Sequence, residues 1–221
     1  MAGPKSGCSP ESPETNISQA NDGIWAMAQA KVVSEQELKR ALGVISGHRH
    51  AQRDRMALLL THWAGMRVCE VAALTRDKVL GPGGEILEEW RLDSDQTKGS
   101  QGRVVYANTK LRKELACYLK ANPTPTRSDP VLVSQKGRRG PRRGFSANTL
   151  CQLINGIYRE AGIAGATSHS GRKGVITALA DHSVGIKTIM ELAGHRQLST
   201  TQKYIEVTPD AKRKAVELII R

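Results

Sequence analysis

The chain has 221 residues, with 33 Lys and Arg against 21 Asp and Glu and a formal net charge of +12. That length suits one well-cored domain with a small appendage, and the positive excess points to a polyanionic partner, nucleic acid first, because each neutralised phosphate releases counterions. No apolar run approaches the ~20 residues of a membrane-spanning helix, and no signal-peptide pattern opens the chain. Cys8, Cys69, Cys117 and Cys151 lack the spacing of a zinc site or a disulfide framework. A cytoplasmic, nucleoid-associated protein with no membrane partner is expected.

Residues 1–31 are rich in Ser, Pro, Gly, Asn and Ala and read as a flexible leader or linker. Ser34 and Glu37 have the spacing of a helix capping box, and Leu38, Ala41, Leu42 and Ile45 continue it as an apolar stripe. His48-Arg49-His50 reads as a polar connection between helices rather than a metal site, since no Cys, Asp or Glu set completes it. A second helix is expected over 52–64, with Met56, Leu59, Leu60 and Trp63 on one side. Gly65 ends it, and a short third helix carries Val68, Val71, Ala72 and Leu74. Pro82-Gly83-Gly84 breaks the helical pattern.

Two strands, 86–92 and 103–106, flank the polar hairpin segment Asp95-Gln96-Thr97-Lys98-Gly99. A helix over 111–119 follows, then a stretch with Pro123, Pro125 and Pro130, then a short strand over 131–133. Residues 136–144 hold Lys136, Arg138, Arg139, Arg142 and Arg143 among glycines. They read either as a solvated turn or as a loop that tracks phosphates with backbone N–H groups and arginines. Helices over 146–161, 169–181, 186–192, 200–205 and 209–220 complete a mostly helical chain with one small antiparallel sheet and no internal repeat.

Several residues have the chemistry of phosphodiester work. Arg67 lies in the first turn of the third helix, with Glu70 three residues on and on the same face. Alone, that pair reads as a weak surface ion pair. Lys98 sits at a hairpin tip, where most lysines are simply solvated. His169 and Arg172 start a helix, where Ser168 can cap and the backbone dipoles favour an anion. His195 follows Gly194 at a helix junction, and Tyr204 comes nine residues later, at the end of the next helix. A guanidinium holds phosphate oxygens in a planar fork, an imidazole moves protons near neutral pH, and a phenol can be a nucleophile.

The ordered set Arg67, Lys98, His169-x-x-Arg172, His195, Tyr204 closely resembles that of the tyrosine recombinase, or phage integrase, family. So do the stretches 65–71, Thr97-Lys98-Gly99, Ala193-Gly194-His195 and Ser199-Thr200-Thr201. The resemblance covers residues 32–221 and implies an α+β, predominantly helical catalytic-domain fold with a small antiparallel β-sheet. It implies a site-specific recombinase or integrase acting on double-stranded DNA through a 3′-phosphotyrosyl intermediate. In that scheme Tyr204 attacks the phosphate, Arg67 and Arg172 bind its non-bridging oxygens, and Lys98 is the general acid for the 5′-oxygen. His169 assists proton transfer at the nucleophile, His195 hydrogen-bonds the phosphate, and Glu70 orients its neighbours. The basic loop and Lys173 are expected on DNA.

No metal, cofactor or ATP is expected, because side chains supply the cations and the phosphotyrosine keeps the bond energy. A homo-tetramer on DNA through the helix 209–221 and accessory DNA-bending proteins are the partners the resemblance suggests. The family's N-terminal core-binding domain is not expected ahead of residue 32, so the chain reads as a fragment or a compact member. Gly171 stands where many members have Leu, which predicts looser packing of the Arg172 helix. Two alternatives remain at this stage: a type IB topoisomerase-like enzyme, which would relax supercoils without strand exchange, and a non-catalytic DNA-binding regulator on the same fold, which would form no covalent adduct.

Overall fold

Ser34 starts the first helix, α1 (Glu35–Ser46), by a two-way cap. Its Oγ accepts the Glu37 N–H at 3.2 Å, and Glu37 Oε2 accepts the Ser34 N–H at 3.0 Å. The computed structural model describes residues 30–93, 102–134, 143–204, 212, 213, 216 and 217. In chain order they continue with α2 (Ala51–Trp63), α3 (Val68–Ala73), α4 (Arg76–Val79), β1 (Glu89–Leu92), β2 (Arg103–Tyr106) and α5 (Thr109–Ala121). Then come α6 (Ala147–Glu160), α7 (Ser170–Asp181), α8 (Ile186–Ala193) and α9 (Leu198–Gln202).

The centre of the fold is α2. Met56, Ala57, Leu58, Leu59 and Leu60 are all at most 2% exposed, so this helix is covered on every side rather than along one stripe. Helices α1, α3, α5, α6 and α7 surround it, the arrangement expected of a helix that is apolar all round. β1 and β2 pair antiparallel, with Trp90 opposite Val105 and Leu92 opposite Arg103. Trp90, Leu92 and Val105 turn into the core. β1 begins three residues later than its apolar pattern suggests, because Ile86 bridges to Leu80 instead. Among the described residues no helix is long and apolar enough to cross a membrane.

Other expectations need correction. Residues 131–133 do not form a strand; Val131 and Leu132 are buried in a crossing segment tied by isolated bridges, Thr75 with Pro130 and Val133 with Gly144. Pro130 has no N–H with which to extend a ladder. Helix α9 stops at Gln202, so Tyr204 stands two residues beyond its end rather than closing it. Ser168 does not cap α7. His169 occupies the N-cap position, Ser170 Oγ accepts the Thr167 N–H at 2.9 Å, and the Ser168 hydroxyl meets Cys151 Sγ at 3.0 Å. The leader 1–29, the hairpin tip 94–101 with Lys98, and residues 135–142 with Lys136, Arg138, Arg139 and Arg142 lie outside the described residues. Most of the expected helix 209–220 does too.

Gly171 tightens the packing of α7. A Cβ there would stand 2.7 Å from Thr61 Oγ1, 2.8 Å from His62 Cδ2 and 3.0 Å from the Thr61 carbonyl carbon, all on α2. The missing side chain lets the two helices approach, so the expected loosening is reversed. Beneath this contact His62 Nε2 shares a hydrogen bond with the Tyr158 hydroxyl at 2.7 Å. Burial pulls the His62 imidazole down to about 4.

Two outcomes follow for stability. Gly171→Ala should lower the free energy of unfolding by about 1–3 kcal/mol through overpacking, with Gly171→Leu worse; a stabilised Leu variant in urea titration would contradict the close approach. His62 in the folded chain refuses a proton that the unfolded chain takes up below pH 6.5. Its stabilising effect is therefore complete above about 6.5 and is lost as the pH falls to about 4. His62→Gln should flatten the dependence of stability on pH in that window, and an unchanged slope would remove His62 as its source.

Candidate active site

The site is built around the C-terminal end of α8. The last carbonyls of a helix have no partner within it and carry the negative end of its dipole. Here three consecutive carbonyls are taken by guanidiniums from three other parts of the chain. Arg103 Nη1 on β2 donates to Leu192 O at 2.8 Å. Arg172 Nη2 on α7 donates to Ala193 O in a short contact. Arg67 Nη2, at the start of α3, donates to Gly194 O at 2.8 Å.

Glu70, with no exposed surface, is the counter-ion of the group. Its Oε1 accepts from Arg67 Nη1 at 2.8 Å and Arg103 Nε at 3.0 Å. Its Oε2 accepts from the Arg67 backbone N–H at 2.8 Å and Arg103 Nη2 at 2.6 Å. Burial raises the Glu70 carboxyl, but the bonds and charge of Arg103, with Arg172 and Arg67 behind it, prevail and hold it at about 2. The carboxylate is thus ionised, as a buried carboxylate must be to keep such partners. Sequence spacing anticipated the contact of Glu70 with Arg67. Arg103 was not singled out, and its signal was modest: one arginine opening an otherwise apolar strand.

Two backbone features open room for these side chains. Gly194 ends α8 in the left-handed region at φ 59°, and a Cβ there would lie 2.5 Å from Arg103 Cδ. Gly65, also at positive φ, turns its carbonyl to Arg172 Nη1 at 2.6 Å. Arg172 is 1% exposed, and its Nε has no hydrogen-bond acceptor among the described residues. Burial, with Arg67 and Arg103 close by, works strongly against its charge, while Glu70 and Tyr204 favour it. A guanidinium stays protonated under such pressure, so the cluster stores positive charge that an anion would relieve.

Tyr204 and His195 meet beside it. Their rings stack with centroids 6.1 Å apart, and His195 Nδ1 lies 2.9 Å from Thr201 Oγ1. Tyr204, 7% exposed, packs in a small second core with Ile176, Ile189 and Ala193. Burial pushes its phenol up from the ordinary value, partly offset by the fields of Arg172 and Arg67. Burial, then Arg172, Arg67 and Arg103, brings the His195 imidazole down to about 3. His169, half-buried, stands at the N-cap of α7, one turn before Arg172.

Arg67, Glu70, Arg172, His195 and Tyr204 are therefore drawn together from the expected set, and Lys98 lies outside the described residues. Lys173 follows Arg172 on α7. Arg143 is exposed and lines, with Arg53, Ser146, Thr149 and Gln152, an open groove of about 710 Å³ at the start of α6. His48, considered above for a metal, lies between carboxylates instead, 3.0 Å from Asp54 and 3.0 Å from Glu160.

Residues 31–210 match the phage integrase family. Tyrosine recombinase XerA of Thermococcus kodakarensis is 35% identical over 187 residues, which cover 85% of this chain and 62% of that protein. XerA of Pyrococcus horikoshii is 33% identical over 189 residues, covering 85% of this chain and 60% of its own length. The chain thus spans about three-fifths of the length of these relatives. In fold it is similar to the crystal structure of XerA recombinase, with a TM-score of 0.65 at 24% identity over 86% of this chain and 64% of that one. It is similar too to the Tn1549 transposon integrase in complex with transposon right end DNA, with a TM-score of 0.66 at 17% identity over 87% of this chain and 66% of that one. A match over most of its length, on a fold of this shape, makes the chain a member of the phage integrase family, the tyrosine recombinases.

Proposed function

We propose that the chain cleaves and rejoins double-stranded DNA as a site-specific recombinase, with Tyr204 as nucleophile. The observation that carries this reading is the meeting of Tyr204 and His195 with Arg67 and a buried Arg172 whose Nε lacks an acceptor among the described residues. A phosphodiester supplies what that cluster lacks, an anion with several acceptor oxygens. The DNA-bound integrase among its fold relatives supports the same substrate class.

The reaction divides charge work from proton work. The Tyr204 phenol attacks phosphorus; a bond from its oxygen to phosphorus forms, the bond to the 5′-oxygen breaks, and a 3′-phosphotyrosyl link remains. Arg67 and Arg172 hold the non-bridging oxygens as negative charge develops on them. The phenol proton leaves toward His169, and Lys98 protonates the departing 5′-oxygen. A phenol is protonated at neutral pH and burial pushes that of Tyr204 further the same way, so removing its proton is part of the barrier. His195, down at about 3, is neutral at pH 7. In the tautomer in which Thr201 donates to Nδ1, the ring carries its proton on Nε2 and offers the phosphate an uncharged donor. Religation reverses these steps when a 5′-hydroxyl attacks the phosphotyrosine, so no external energy source enters.

DNA is held by Arg143, Lys173 and the basic residues Lys136, Arg138, Arg139 and Arg142, all of which fit backbone contacts. Assembly as a homo-tetramer on DNA through 209–221, aided by DNA-bending proteins, completes the reading. Deleting 209–221 should abolish multimers on DNA, and unchanged assembly would remove that part.

A suicide substrate nicked beside the cleavage position, on a site selected in vitro with the wild-type protein, gives the direct test. Wild type should form a covalent protein–DNA adduct that Tyr204→Phe lacks. Arg172→Ala should slow its formation by about 10²–10³-fold, the usual cost of a lost preorganised donor. A wild-type protein that binds the selected site and forms no adduct would overturn the reading in favour of a DNA-binding regulator.

A further inference from the structure

Arg103 has no part in the scheme above, yet it touches two of the supports on which that scheme depends. It opens β2 and pairs with Leu92 of β1. Its side chain, 7% exposed, makes a fork on Glu70 through Nε at 3.0 Å and Nη2 at 2.6 Å. The remaining nitrogen, Nη1, reaches Leu192 O at 2.8 Å. Each of its three guanidinium nitrogens thus bonds a protein acceptor.

We propose that Arg103 is a positioning residue for strand cleavage, setting the Arg67 guanidinium through Glu70 and the end of α8 through the Leu192 carbonyl. The inference rests on the cleavage reading. Glu70 presents the same carboxylate to both arginines, so the fork made by Arg103 fixes the plane in which Arg67 is held. The Leu192 bond secures the first of three carbonyls whose successors hold Arg172 and Arg67, and His195 follows directly. Gly194 leaves the space through which the Arg103 stem passes. A lysine keeps the charge at this position but cannot make the fork, so charge and geometry can be tested separately.

The test uses the full chain and the suicide substrate, with Arg103→Lys as the main variant and Arg103→Met as the second. Single-turnover adduct formation at saturating DNA should fall about 10- to 100-fold in Arg103→Lys, the usual effect of losing a support for a liganding group. Its Kd for DNA should stay within about twofold of wild type, since no phosphate contact is lost. The double variant Glu70→Gln with Arg103→Lys should lose less than the product of the two single losses, because the two residues act in part through one carboxylate. A folded Arg103→Lys that cleaves at the wild-type rate overturns the proposal. So does a rate loss accounted for by weaker DNA binding, or a double variant in which the two losses multiply.

A crystal structure of Arg103→Lys supplies a readout that does not depend on activity. Displacement of the Arg67 guanidinium or of the Leu192–Gly194 carbonyls by about 1 Å, enough to matter for catalysis, supports the proposal; unmoved groups overturn it. Absence of an adduct with wild type defeats the cleavage reading instead, and the crystal structure then decides whether Arg103 positions the cluster. Should Arg103→Met fail to fold, Arg103→Lys carries every arm of the test.

Discussion

The carbonyl end of α8 is the constraint on which the site depends. Three arginines of like charge converge there from β2, α7 and the start of α3, each on its own carbonyl. Isolated in water they would separate; buried together they need compensation, or the cost of desolvation would exclude them. The negative end of the helix and the wholly buried Glu70 supply it. None of the four contributing segments completes the cluster alone. The cluster therefore exists only once the tertiary fold is closed, and even then it keeps more positive charge than its one carboxylate balances.

Burial sorts the remaining groups by the same rule, since it disfavours the charged form of each. The Tyr204 phenol is pushed up and the His195 imidazole down to about 3. The cluster therefore carries its positive charge on guanidiniums and keeps Tyr204 and His195 neutral. Tyr204 also belongs to a small core between α7, α8 and α9 rather than to the main one around α2. A region with few buried apolar neighbours opens at lower cost than a central helix, which suits the role proposed for Tyr204. Arg172 has the opposite setting, on a helix pressed against α2 where Gly171 permits it.

Much of this was legible in the residues themselves. The Ser34–Glu37 cap, the helices around Leu59, Leu115 and Ile154, and the paired strands all follow from local spacing and apolar periodicity. The ordered Arg67, Lys98, His169, Arg172, His195 and Tyr204 pointed to the phage integrase family, to which the chain belongs. Local reasoning failed where a neighbour distant in sequence set the outcome. The apolar run at 131–133 looked like a strand but is a buried crossing, and α2 looked one-sided but is surrounded. Ser168 looked like a cap but turns to Cys151, and Gly171 looked like a packing defect but is a close approach.

The sequence by itself determined the family, the positions of the expected chemical groups and the mostly helical character, because those depend on residue type and on spacing within a few turns. Only the tertiary structure decided that the arginines share one helix end, that Glu70 serves both Arg67 and Arg103, and that Tyr204 stacks on His195. The physical reason is range. A cap or an apolar stripe is written in residues three or four apart, whereas Arg103 and Leu192 stand 89 residues apart in sequence. Its bonding is specified by the packing of β2 against α8, which no local pattern records.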